Sequence, residues 1–259
     1  MRSLKLTVAY DGTAYVGWQR QLNGVSVQQL LEEAFAPLVG GVAPVIAGAS
    51  RTDAGAHALG QVASVNADID LSPAAVQRAL NVRLPADIRV TAVEDAPPGF
   101  HARFHSAGKS YRYRMITTPV LSPFDRFFAS HAPEPKRVDW MQQAAALLVG
   151  RHDFASFQAR GASVRDTIRT IHRLDVEDRG GEIVLDVDGD GFLRHMVRAI
   201  AGTLAEVGTG LRPSESLADV LTARDRAAAG ATLPACGLTL LSVRYLDDPP
   251  HGTPVTESR

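Results

Sequence analysis

Cysteine is nearly absent: Cys236 is the only one in 259 residues, which excludes an internal disulfide or a thiolate metal cluster and fits a reducing compartment. There is no run of about 18 uncharged apolar residues that would read as a membrane span. The opening stretch MRSLKLTVAYDG lacks the apolar core of a signal peptide, so a cytoplasmic protein is expected. An excess of either charge is missing too, since 27 basic against 28 acidic residues leave a net charge of −1. A uniformly basic nucleic-acid binder is thereby excluded, and any such site must be a local one. Lysine is scarce: of the 27 basic residues only Lys5, Lys109 and Lys136 are not arginine. Arginine's planar fork suits phosphate and base contacts, and GC-rich codon usage would leave the same bias.

What is present is ordinary globular composition, 45 % hydrophobic and 21 % charged, in a length that suits one large or two small domains. Leu4 to Tyr10 alternates in period 2 and predicts a strand ended by Asp11-Gly12. Ser26 opens a helix with apolar Val27, Leu30, Leu31, Ala34, Phe35 and Leu38. Ser72 and Pro73 open a second, with Val76, Ala79, Leu80 and Leu84 inward. Strands are predicted at Pro44 to Ala47, Gly60 to Val65 and Ile88 to Glu94. The second half begins with the strand SYRYRMI and a proline-containing loop, Pro119 to Pro135. A helix over Val138 to Leu148 follows, then a hairpin of Thr167 to Glu177 with Glu182 to Val187 around Asp178-Arg179-Gly180-Gly181. Helices over Leu193 to Glu206 and Ser214 to Arg224 and a closing strand, Leu238 to Leu246, complete it. The expected class is α+β: two similar halves, residues 1–105 and 106–246, with mainly antiparallel sheet and helices packed on it. A flexible tail, 247–259, is expected to follow.

The segment GASRTDAGAHALGQV, Gly48 to Val62, carries the chemistry. If residues 51 to 53 are extended, Arg51 and Asp53 share a face, where the guanidinium would hold the carboxylate ionised. Burial under a substrate disfavours a carboxylate and an adjacent cation favours it, so such a pair keeps a desolvated Asp nucleophilic. The same residues also suit a turn opening at Asp53 through Ala54-Gly55, with Arg51 on the surface. Asp186 to Gly191 has the acids of a calcium loop, but Val197 stands where the twelfth position needs a bidentate Glu. His101 and His105 have helical metal spacing without the zincin Glu, and between strands they would lie roughly 13 Å apart, so no metal is expected. His57 reads as a loop hydrogen-bonding residue and Cys236 as a buried small one. Arg194, His195 and Arg198, near a helix start, are candidate RNA-phosphate contacts.

GASRTDAGAHALGQV resembles the signature of the TruA-type tRNA pseudouridine synthases. So, in order, do YDGTAYVGWQRQ, VQQLLEEA, FHARFHSAGKSYRYR, HDFASF and GFLRHMVRAIAGTL, over nearly the whole chain to about residue 246. Ser50 and Ala56 depart from that pattern, where the family often has Gly and Val. The resemblance implies an isomerase that converts uridine to pseudouridine at positions 38 to 40 of the tRNA anticodon stem-loop. It implies Asp53 as nucleophile, Arg51 holding it or filling the gap of a flipped base, and Tyr111 lying against the uracil. It further implies no cofactor, a homodimer and an active-site cleft between the halves. Free phenols ionise near 10, so stacking suits Tyr111 better than proton abstraction. The alternative from the residues alone is a non-catalytic RRM-like RNA-binding protein, though the RNP1-like string is missing. A small-molecule isomerase using Asp53 as acid or base is the third class.

Overall fold

The computed structural model describes residues 1–134, 136–161, 164 and 166–246, so the expected tail lies outside the described residues. The elements run β1 (Arg2–Tyr10), α1 (Val27–Phe35), β2 (Ile46–Gly48), β3 (His57–Ala67), α2 (Pro73–Arg83), β4 (Ile88–Asp95), β5 (Ser106–Ile116), β6 (Ser130–His131) and α3 (Val138–Ala146). They continue through β7 (Gly150–Asp153), β8 (Ile168–Asp178), β9 (Glu182–Gly189), α4 (Met196–Gly208), α5 (Ser216–Ala223) and β10 (Leu238–Tyr245). The class is α+β, as the sequence predicts.

Local chemistry accounts for most boundaries. Leu4, Leu6, Val8 and Tyr10 of β1 are buried while their neighbours are not, the alternation of a sheet with one covered face. Ser26 caps α1 by accepting from Gln29 N at 3.2 Å, and Ser72 caps α2 by accepting from Ala75 N at 3.3 Å with Pro73 in the first turn. Gly180 and Gly181, with φ of 71° and 96°, form the two-residue turn of the β8–β9 hairpin, which only residues tolerating positive φ build cheaply. α4 starts at Met196 instead of Leu193 because His195 takes a left-handed conformation, φ 64°, that no helix interior accepts. Residues 101–105 are likewise not extended: His105 N donates to the His101 carbonyl, curling the segment into a turn. His101 Nδ1 accepts from Arg103 N and His105 Nδ1 from His101 N, so each ring serves that turn.

One sheet runs through the molecule in the order β4-β1-β3-β10-β5-β9-β8-β7, with β2 added to β3 and β6 to β5. Every neighbour along that path is antiparallel except β3 and β10, which touch through only Thr239 with His57 and Leu240 with Ala58. The seam between the two groups of strands is thus made by the last strand, β10, inserted between β3 and β5. Helices cover one face, where Val27, Leu31 and Phe35 of α1 and Val76 and Leu80 of α2 join the β1 side chains in the core. Across the β3–β10 seam, Met196, Ile200 and Leu204 of α4 join Tyr113 and Met115 of β5 and Met141 of α3. Ten of the thirteen α4 residues are buried, so it is a central helix with apolar residues almost all round.

That topology positions the site. The conspicuous loop 49–56 feeds β3 at the seam, next to Tyr111, which pairs with Leu240 of β10. α4 starts beside the same point.

Candidate active site

The loop around Asp53 is held from below by the YDGTAYVGW block. Trp18 N donates to the Thr52 carbonyl at 3.2 Å, Gly55 N to the Tyr15 carbonyl at 3.3 Å, and Tyr10 and Thr52 share a hydroxyl hydrogen bond of 2.8 Å. Such close approach needs two glycines. A Cβ on Gly12 would lie 1.9 Å from the Ala56 carbonyl oxygen, and one on Gly17, whose φ is 103°, would lie 2.5 Å from that of Thr52. Gln61 closes the other side, accepting from Ser50 N and donating to the Ser50 carbonyl. His57 bridges Gly12 N at 3.0 Å and the Cys236 carbonyl at 3.2 Å, the loop-fastening role expected of it. Cys236 itself is half-buried, and burial pushes its thiol up.

The cation that Asp53 meets is not the expected one. Arg198 Nη1 donates to Asp53 Oδ2 at 2.7 Å, and the same guanidinium is anchored by Nε donating to the Leu233 carbonyl at 2.7 Å. The two side chains are 14 % and 20 % exposed, so water screens this pair far less than a surface one. Arg51 is exposed and forms no ion pair with Asp53 among the described residues. The correction has a plain cause. Residues 51–53 build no strand, a turn opens at Asp53 with Ala56 N bonded to its carbonyl, and a half-buried carboxylate gains more from a pre-anchored guanidinium than from a solvated one. Arg198 is correspondingly committed to Asp53 and Leu233, not to an external phosphate.

His195 brings Nε2 to 3.5 Å from Asp53 Oδ1, and burial holds its imidazole below the usual range, with Arg198 and Arg194 adding to the effect and Asp53 opposing it. The ring is therefore neutral at neutral pH. Its left-handed backbone is the kind of strained conformation that surrounding structure maintains at functional sites. Oδ1 receives no hydrogen bond among the described residues, which leaves its lone pairs unengaged there.

Tyr111 stands opposite. It is 5 % exposed, shares a 2.7 Å hydrogen bond with Ser50 Oγ, and meets Phe192 edge-on at 5.1 Å. Burial, reinforced by the charge of Asp53, pushes its phenol up to about 12. At neutral pH its phenol is protonated. Ser50, the departure from the expected glycine, thus adds a partner for Tyr111 that sequence reasoning missed. The acids of the apparent calcium loop are otherwise engaged: Asp186 with Arg112, Asp188 with Ser110 and Asp190 with Thr170 N.

A cation-anchored carboxylate, a buried tyrosine and a seam between two groups of strands meet at one place. A profile described as tRNA pseudouridine synthase matches residues 6–105 and 144–246. The chain belongs to that family. The synthase is 46 % identical over 245 residues to tRNA pseudouridine synthase A of Syntrophotalea carbinolica, covering 95 % of this chain and 97 % of that one. It is 45 % identical to that of Myxococcus xanthus, covering 98 % and 96 %. A solved Cbf5-Nop10-Gar1 complex superposes with a TM-score of 0.39 at 11 % identity, over 92 % of this chain and 48 % of that one. The synthase is therefore an isomerase that forms pseudouridine in tRNA, which sets aside the RRM-like and small-molecule alternatives. No helix among the described residues is long and apolar enough to cross a membrane.

Four buried phenols, Tyr10, Tyr15, Tyr111 and Tyr113, are all raised from their ordinary value of 10.0, chiefly by burial. Below pH 10 folded and unfolded chains both carry neutral phenols; above it only the unfolded chain ionises, so stability falls as pH climbs from 10 through the folded values. In alkaline titration followed by phenolate absorbance and circular dichroism, these tyrosines should ionise together with loss of the fold. A Tyr111 signal near pH 10 in the intact protein, identified by its disappearance in Tyr111→Phe, would contradict the assignment.

Proposed function

We propose that Asp53 is the nucleophile of the synthase and that it acts on uridines 38 to 40 of the anticodon stem-loop. The observation that carries this is the asymmetric carboxylate: Oδ2 tied to Arg198 at 2.7 Å, Oδ1 without a hydrogen bond among the described residues. Oδ1 forms a bond to the target nucleoside and the bond between ribose C1′ and uracil N1 breaks. The freed ring turns beside Tyr111 and bonds to C1′ through C5, and the bond to Oδ1 breaks to restore the carboxylate. The C5 proton leaves and N1 is protonated, so no atom is gained or lost and no external oxidant or reductant is needed. Arg198 keeps the departing and returning carboxylate charge in place. Tyr111 and Phe192 supply aromatic surface for the uracil.

Reaching a paired base costs a few kcal/mol of unstacking, so a side chain that fills the gap assists. Arg51, exposed and two residues from Asp53, is free for that part. Local cations support an RNA substrate despite the net charge. Lys109, buried on β5, is held below its usual range by burial and by the neighbouring Arg103 and Arg169, with Asp190 opposing, so several cations gather near β5. The cytoplasm, where tRNA is matured, is the compartment this substrate implies.

Asp53→Asn should abolish carbodiimide-reactive pseudouridine in tRNA while tRNA binding stays within a few-fold of wild type, and the wild-type product should map to positions 38 to 40. Residual turnover in Asp53→Asn, or product confined to other positions, would refute the assignment.

The reading also includes a homodimer. A hollow of about 490 Å³ contains Leu59, Leu241 and Phe128, and Leu59 is 63 % exposed, the kind of apolar surface a second copy would cover. Sedimentation equilibrium should give twice the 27.7 kDa chain mass. A monomer at micromolar concentration would overturn that part.

A further inference from the structure

We propose that the cleft beside His195 is a phosphodiester site that grips the RNA strand next to the target uridine through Arg160, Arg194 and Arg226. This rests on the reading of the synthase's substrate given above and assigns a site distinct from the reacting carboxylate. The cleft encloses about 460 Å³. His195 belongs to its wall, and the same ring stands 3.5 Å from Asp53 Oδ1, so cleft and carboxylate adjoin. A strand whose uridine lies over Asp53 therefore presents a neighbouring phosphate here.

The lining decides the class of ligand. Besides the three arginines and His195 it is made, among the described residues, of small residues, including Ala227, Gly230 and Thr232, with no aromatic side chain among them to stack a base and no carboxylate. That favours a compact anion. Nearby acids are engaged elsewhere: Glu206 takes two hydrogen bonds from Arg212, at 3.1 and 2.8 Å, and Asp225 accepts from Ala227 N at 2.9 Å. Among the described residues none of the three arginines has an ion-pair partner. Arg226 is also pre-organised. Its Nη1 donates to the Ala229 carbonyl at 3.2 Å and its Nη2 to Thr232 Oγ1 at 2.7 Å, which leaves about three of its five N–H groups for an incoming oxyanion. Arg194 directly precedes the left-handed residue that stops α4 from extending backwards, so the strain at His195 shapes both the carboxylate's neighbourhood and the cleft rim.

The test combines Arg194→Gln and Arg226→Gln, singly and together, with anticodon stem-loop RNA in which single phosphates flanking the target are replaced by neutral methylphosphonates. One flanking replacement should weaken wild-type binding about tenfold, the worth of a charge-assisted contact. The double variant should bind normal RNA about tenfold or more weakly, lose nothing further on that replacement, and show a salt slope shallower by about 0.7 per lost phosphate. KM should rise by a larger factor than kcat falls, and a wild-type circular dichroism spectrum and melting temperature should show that the double variant folds. Losses that multiply at every flanking phosphate, or an unaltered salt slope, would overturn the site. Wild-type pseudouridine formation on the unmodified stem-loop is read in parallel: its absence would count against the functional reading, whereas product with multiplying losses counts against the cleft alone.

Discussion

The synthase depends on one charge pair across a seam, Asp53 from the first group of strands and Arg198 from α4 behind the second. Neither partner is free to choose another arrangement. Asp53 sits in a loop clamped by backbone hydrogen bonds to Tyr15 and Trp18, and Arg198 is fastened to the Leu233 carbonyl. A carboxylate held by one oxygen is oriented, and its second oxygen is the one we propose to react. Partial burial strengthens that hold, because the guanidinium acts through little water.

The rest of the architecture serves this geometry. β10 is the last strand in sequence and the middle one in space, and its short parallel contact with β3 sets the start of β3 beside Tyr111. Gly12 and Gly17 bring backbone against the Asp53 loop at distances no side chain would permit. His57 ties that loop to the segment leading into β10. Tyr111, neutral and bonded to Ser50, stands beside the same loop, where we propose that it offers aromatic surface instead of a base.

Much of this is legible in the sequence where the cause is local. The β1 alternation, the serine caps of α1 and α2, and the Gly-Gly hairpin all follow from residues within a few positions of one another. The signature around Asp53 likewise points to the carboxylate. What is not legible is long-range. Arg198 lies 145 positions from Asp53, and period-2 spacing favours Arg51, the nearer cation that the folded chain leaves in solvent. The β3–β10 seam joins strands with no shared pattern, and β7 is four residues long, too short to announce itself. His195 reads as helix by periodicity, while the folded chain holds it left-handed at φ 64°. The positive signal for Arg198 was present only as its place on an apolar helix where a buried charge needs a partner.

Arg198, and not Arg51, fixes the carboxylate that we propose to react. Single-turnover rates at saturating tRNA for Arg198→Gln and Arg51→Gln, with Arg198→Lys as the charge-retaining control, test it most directly. Arg198→Gln should lower the rate about a hundredfold or more, Arg198→Lys should recover part of it, and Arg51→Gln should act far more weakly on this step. Near-wild-type turnover in Arg198→Gln beside a collapse in Arg51→Gln would contradict the account.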